Sequence, residues 1–247
     1  MKSLLKMTWM EIKLFLREPV GAFFTLVFPL MMLFLFGSIY GNQPSQYFNG
    51  YGTVDVSVPA YTAMIIATTG LVGLTITMAS YRENGVLRRL RTAPISPLVV
   101  LLAQVIVLFL MTALGMLLLV VAGKLVYQMR FDGNALSVLA GFILCSLSFF
   151  GLGFVLAGLM PTARTAQVVS MVILYPMLFL SGAGFPRELL PESIVKISAF
   201  LPLTYVVKLL RGLWIGDTWG QHLLDVGVLA ALLLAGILIS IKTFRWE

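Results

Sequence analysis

Residues 98–123 contain no charged side chain. A helix of 26 residues is about 39 Å long, more than the roughly 30 Å of hydrocarbon in a bilayer. Five further stretches have the same character, and apolar periodicity with intervening turn residues places spans near 20–40, 59–81, 98–123, 136–160, 166–185 and 223–241. With 60% hydrophobic and 11% charged residues, the chain lacks the polar surface to cover a water-soluble globule. The fold class expected is all-α, a polytopic membrane protein in which residues 1–247 form a single membrane domain.

Six spans put both termini on one side, and the cations choose which. Eleven of the 17 lysines and arginines fall on the terminal side, at Lys2, Lys6, Lys13, Arg17, Arg82, Arg88, Arg89, Arg91, Arg164, Lys242 and Arg245. Four of the ten carboxylates accompany them, whereas the six cations and six carboxylates of the other side balance. The positive-inside rule therefore predicts cytoplasmic termini, an external 41–58 loop and an uncleaved first span. Membrane orientation accounts for the basic balance of the chain, so nucleic acid is not needed as a partner. The lone Cys145 lies in an apolar run and reads as a packed thiol. Trp9, Trp214, Trp219 and Trp246 are expected at water–lipid boundaries.

Three segments outside the spans carry pattern. In a helix over residues 1–18, Lys2, Lys6, Lys13 and Arg17 share one stripe and Leu5, Trp9, Ile12 and Leu16 the adjoining one. An interfacial elbow that binds anionic lipid explains this pattern; the alternative is that it also touches a partner. The loop 82–97 is the most cationic stretch. Glu83 near its start, arginines near its end, an apolar side of Val86, Leu87 and Leu90, and Pro94 as terminator describe a short stiff helix presented to the cytoplasm. Within residues 186–220 three prolines forbid a continuous span, yet Ile194, Ile197 and Leu201 keep helical spacing, with Glu192 and Lys196 an i,i+4 pair. Two short helices, one over the second segment with Lys208 and Arg211, are expected as an external cap or as a re-entry into the outer leaflet.

Leu174, Met177, Leu180, Ser181, Ala183, Leu190, Pro191, Pro202, Leu203, Tyr205 and Arg211 together resemble the pattern of type-2 ATP-binding-cassette (ABC) exporter permeases, of the bacterial drug and polysaccharide export class. The Glu83-Asn84-Gly85 loop is similar to that family's coupling helix, and the elbow and six-span plan match as well. The resemblance implies a multi-pass protein of the plasma or inner membrane, pairing with a second permease subunit and with separate ATPase subunits. Coupling would fall to Glu83, Gly85, Leu87, Arg88, Arg89 and Leu90, and the external cap to Pro191, Glu192, Lys196, Pro202, Tyr205 and Arg211. The chain contains no G-x-x-x-x-G-K-[ST] loop, so it is expected to be no enzyme and to bind no cofactor; ATP and Mg would be used by the partner.

Rival readings are weaker. An ion-coupled transporter normally keeps ionisable groups at depth, and the spans are expected to lack them. Ser181 with His222 would make a membrane hydrolase, but Ser181 lacks the preceding glycine of a nucleophile elbow. No cluster of His, Cys and carboxylates marks a metal site. For the substrate path, Tyr61, Met64, Thr68, Thr75 and Met78 follow helical spacing on the second span with Thr62 and Thr69 beside them, and Met171, Met177 and Phe179 are the candidates on the fifth. Backbone bonding by the threonines and core packing are the competing explanations. The cargo expected is a hydrophobic drug or lipid-like amphiphile, with polysaccharide or glycolipid the nearest alternative.

Overall fold

The computed structural model describes residues 2–86, 89, 97–184, 187 and 190–243, and among these there is no strand. An N-terminal helix α1 (Lys2–Arg17) precedes α2 (Phe23–Tyr40), α3 (Thr53–Glu83), α4 (Pro97–Tyr127), α5 (Ala135–Leu159) and α6 (Ala163–Leu180). Two short helices, α7 (Glu192–Ser198) and α8 (Pro202–Ile215), lead into α9 (Leu223–Thr243). Among the described residues six helices are long and apolar enough to cross a membrane: α2 to α6 and α9. The polytopic all-α class follows directly.

Helix α3 is the axis of the bundle. Every residue from Val54 to Ala67 is buried, against α2, α4, α5 and α8. Close approach depends on glycine. A Cβ on Gly153 of α5 would overlap the Gly70 carbonyl oxygen of α3, and one on Gly236 of α9 would stand 2.9 Å from the Gly151 backbone of α5. Small residues let backbones meet where lipid supplies no hydrophobic drive for helix association. At the Gly70 crossing, α3 widens into a π-helical turn over Thr68–Gly73.

The structure corrects the sequence reading at four points. The second span starts at Thr53, well before 59, because the first-turn donors find acceptors: Asp55 takes the Gly52 amide at 2.8 Å, and the Asn42 side-chain oxygen takes those of Val54 and Asp55 at 3.0 and 3.2 Å. The fifth span ends at Leu180, before 185, where the chain turns through Gly182 at φ 93. The expectation of spans free of ionisable groups fails at Asp55, 1% exposed in α3, and at Asp225, 6% exposed at the start of α9. Trp214 lies in the core at 3% exposure rather than at a boundary, while Trp9 is exposed as expected and Trp246 falls outside the described residues. Leu5, Trp9 and Leu16 of α1 face outward, where a stripe turned to lipid belongs, and the face that packs on the bundle carries Glu11.

Residues 190–218 form a bent helical hairpin. α7 and α8 meet at 100°, and α8 sinks among α3, α5 and α9 with Leu203, Val206, Leu209, Leu210 and Leu213 fully buried. Pro202, with no amide hydrogen to lose, sits at the first position of α8, and the Thr204 hydroxyl donates back to the Ser198 carbonyl at 2.6 Å. The hairpin lies at the end of the bundle opposite α1, since Tyr51 of the 41–52 loop donates to the Ile215 carbonyl at 3.2 Å.

Candidate functional site

Two cavities open at this opposite end and share Ser57, Tyr61 and Gly184 as a common wall. One, of about 370 Å³, is lined in part by Lys208 and Arg211 of α8, by Asp217 and His222 of the turn into α9 and by Asp225 in the first turn of α9. The other, of about 630 Å³, is aromatic, walled by Phe36, Tyr40, Tyr47 and Phe48. Ser57 and Tyr61 are one helical turn apart on α3, which is why one face of that helix serves both cavities.

His222 is held between carboxylates. Its Nδ1 lies 2.8 Å from Asp225 and its Nε2 3.2 Å from Asp217. The ring packs on Gly212, where any Cβ would overlap Nε2, so the absence of a side chain at 212 makes this clamp feasible. Ser181 faces the same cavity, but its hydroxyl accepts from the Ala183 amide at 3.3 Å and both ring nitrogens of His222 are committed elsewhere. The arrangement fits a structural tie between α8 and α9, and no nucleophile–base pair forms.

Of the path candidates, Tyr61 reaches a cavity. The threonines turn inward: Thr62 donates to the Val58 carbonyl at 2.9 Å, Thr68 to that of Met64 at 2.8 Å, Thr69 to that of Ile65 at 2.7 Å and Thr75 to that of Gly153 at 3.1 Å. Met64 and Met78 are buried. On α6, Met177 is buried, Met171 half-buried and Phe179 55% exposed, so these three do not share a surface. Within the cap, Pro191 precedes α7, and Glu192 and Lys196 are exposed on α7 without, among the described residues, an ion pair. The Tyr205 hydroxyl donates to the Ala199 carbonyl at 2.7 Å, tying α8 to the bend.

At the other end Glu83, one of the expected coupling residues, and its neighbour Arg82 meet the turn between α5 and α6. Glu83 accepts the Ala163 amide at 2.8 Å, at the first turn of α6, and Arg82 donates to the Gly158 carbonyl at 3.2 Å, in the last turn of α5. A carboxylate at a helix N-terminus and a guanidinium at a C-terminus each suit the local dipole. Gly85 adopts φ 65, a left-handed conformation, and Arg89 donates to the Asn84 carbonyl at 2.8 Å. Leu87, Arg88 and Leu90 lie outside the described residues.

Sequence reasoning missed Glu11, Tyr81 and Gln104. Glu11, 4% exposed on α1, accepts from the Tyr81 hydroxyl at 2.7 Å and from the Gln104 amide at 2.6 Å, joining α1, α3 and α4. Burial pushes its carboxyl above the ordinary range, and the two hydrogen bonds oppose that rise. The readable signal was position: Glu11 falls on the side of α1 away from the lysines, among Leu4, Met7 and Phe15, where a solvated acid has no place.

Six helices long and apolar enough to cross a membrane, with a bent helical pair packed among them before the last, define a polytopic membrane protein. The chain belongs to the ABC-2 type transporter family, whose model matches residues 2–214. It is similar to nodulation protein J of Rhizobium leguminosarum bv. viciae, 35% identical over 111 residues, 45% of this chain and 42% of that protein. It is also similar to the probable multidrug ABC transporter permease YbhR of Escherichia coli K12, 21% identical over 160 residues, 65% of this chain and 44% of that protein. The putative transport permease ycf38 of Cyanophora paradoxa matches more broadly, at 26% over 227 residues, 87% of this chain and 74% of that protein. The chain spans less than half the length of the first two of these relatives.

Proposed function

We propose that this chain is the membrane subunit of an ATP-driven exporter that moves a hydrophobic drug or lipid-like amphiphile out of the cytoplasm or inner leaflet. The observation that carries this reading is the ABC-2 family match over residues 2–214. ATPase subunits supply the energy, a partnership that the family match supports; the 247 residues themselves hold no phosphate loop. Cytoplasmic termini are supported by the concentration of cations at the α1 end.

In this reading the turn after α3 receives the ATPase. Glu83 and Arg82 then link it to the start of α6 and the end of α5, so a shift of the loop is passed to two spans through two bonds. A second permease copy completes the path. Val168, Val172, Tyr175 and Phe179 form an exposed stripe at helical spacing on α6, a surface suited to that copy or to lipid.

Affinity purification of the chain from its native membrane in mild detergent tests the reading. An ATPase subunit is expected to copurify, with all ATP hydrolysis lost when that subunit's phosphate loop is mutated. Substrate-stimulated hydrolysis by the chain alone would overturn it.

A further inference from the structure

Where α8 gives way to α9, one imidazole meets more acceptors than a neutral ring can serve. His222 Nδ1 lies 2.8 Å from a carboxylate oxygen of Asp225, and Nε2 lies 3.2 Å from one of Asp217. A neutral imidazole carries a single N–H, and an ionised carboxyl only accepts. Both contacts are hydrogen bonds only when the cluster holds one proton more than a neutral ring and two carboxylates supply.

The surroundings put that proton on the ring. The Asp217 side chain is 38% exposed to water, and Asp225 lies in the first turn of α9, where the helix dipole favours negative charge. Arg187, Lys208 and Arg211 line the same cavity as both aspartates, a field that suits two ionised carboxylates. The other titratable groups around the cluster are Tyr61 of α3, Cys145 of α5, on which the Asp225 charge acts, and Tyr51 and Asp132 on the Asp217 side. Phenols and thiols lose protons above neutrality and carboxyls below it, so imidazole is the residue type here whose charge changes in between.

Loss of the second ring proton leaves one donor for two carboxylates. The contact to give way is that with Asp217, which is longer and more exposed, whereas the Asp225 side chain is only 9% exposed. Asp217 stands just past the end of α8, where the chain turns through Gly216 at φ 100 and the Asp217 amide donates to the Gly212 carbonyl at 2.9 Å. The ring itself rests on Gly212. The Asp217 contact is thus a bond between the end of α8 and the start of α9.

We infer that Asp217, His222 and Asp225 form a proton-binding latch: the doubly protonated ring ties the end of α8 to α9, and loss of one ring proton as pH rises frees Asp217 and loosens this wall of the cavity.

Nitrogen-15 NMR of the full chain in neutral detergent tests this, because the chain has one histidine and labelling at that residue type isolates its ring. In a series from pH 5 to pH 8, both nitrogens should carry a proton at the acid end; at the other end Nδ1 should keep its proton, bonded to Asp225, and Nε2 should be bare. Hydrogen exchange over residues 209–218, with times scaled for the intrinsic pH dependence of exchange, reads the latch. Protection is expected to fall about tenfold from the acid to the alkaline end in the wild-type chain. Asp217→Asn, whose amide accepts from an N–H or donates to a bare ring nitrogen, should stay protected at both ends, and Asp217→Ala should lack that protection at both. A ring that carries one proton throughout the series, or two throughout, overturns the inference. So does a pH-dependent loss of protection that persists in Asp217→Asn or in Asp217→Ala.

Discussion

The two ends of this bundle are tied by different kinds of bond. At the hairpin end, Asp55 is almost fully buried and accepts from Asn42, Gly52 and Arg130, each at 2.8 Å, so one carboxylate pins the 41–52 loop, the start of α3 and the loop after α4. At the α1 end, Glu83 and Arg89 are exposed and bond to backbone atoms at the edges of helices. Breaking a buried charged acceptor leaves its donors without water; breaking an exposed one does not. The hairpin end is thus built as a fixed frame, and the turn after α3 is held by bonds that exchange with solvent at low cost, which suits the docking role proposed for it.

Asp55→Ala offers the largest effect with which to break this contrast. Three donors lose a charged partner, at about 1–3 kcal/mol for each group left buried and unsatisfied. Thermal unfolding in detergent should show a loss of at least about 3 kcal/mol, with Asp55→Asn intermediate. A melting temperature unchanged in Asp55→Ala would remove the frame from the account.

Glu11 ranks next, and it sharpens the comparison because it is the buried polar tie at the otherwise exposed end. Glu11→Ala removes the acceptor of Tyr81 and Gln104 at a cost of about 1–3 kcal/mol. The pH dependence has a definite sign. A carboxyl raised in the folded state contributes stability that is complete below its unfolded value and is lost as pH rises through the folded one. Stability should therefore decline as pH rises through that folded value, and Glu11→Gln, which cannot ionise, should flatten this slope. A slope of equal size in Glu11→Gln would assign the pH dependence to other groups.

Glu83→Ala should have the smallest effect on stability, about 0.5–1 kcal/mol for an exposed helix-end acceptor. Its effect on coupling is expected to be out of proportion. Glu83→Lys and Gly85→Trp should insert normally yet weaken ATPase docking or separate hydrolysis from export. Wild-type transport with unchanged partner affinity in both variants would reduce this turn to a topological anchor. Labelling of a cysteine at position 84 in a Cys145→Ser background reads the orientation; reagent reaching it from outside would invert the assignment.

Much of this was legible because lipid imposes long apolar runs. All six spans could be read, and so could the backbone-bonding of the threonines as the plain alternative to a path. What was hidden depends on partners distant in sequence. Asp55 reads as a loop acid until Asn42 and Arg130 are seen beside it, and the helix start moves with it. Lys208 and Arg211 read as a polar interruption of an external helix; Pro202 signals the bend at 198–202, but the groove lined by α3, α5 and α9 that takes α8 and sets them beside Tyr61 has no local signature. The Glu83 tie to Ala163 joins positions 80 residues apart and was equally out of reach.

The central claim is that the chain opens a path only when a separate ATPase drives it. The most direct test is amphiphile movement in vesicles containing the chain with or without its copurified ATPase, under ATP, under a proton or sodium gradient, and under neither. Movement is predicted only with both ATPase and ATP, and it should vanish when the ATPase phosphate loop is mutated. Gradient-driven movement by the chain alone, undiminished by removal of the ATPase, would contradict the account.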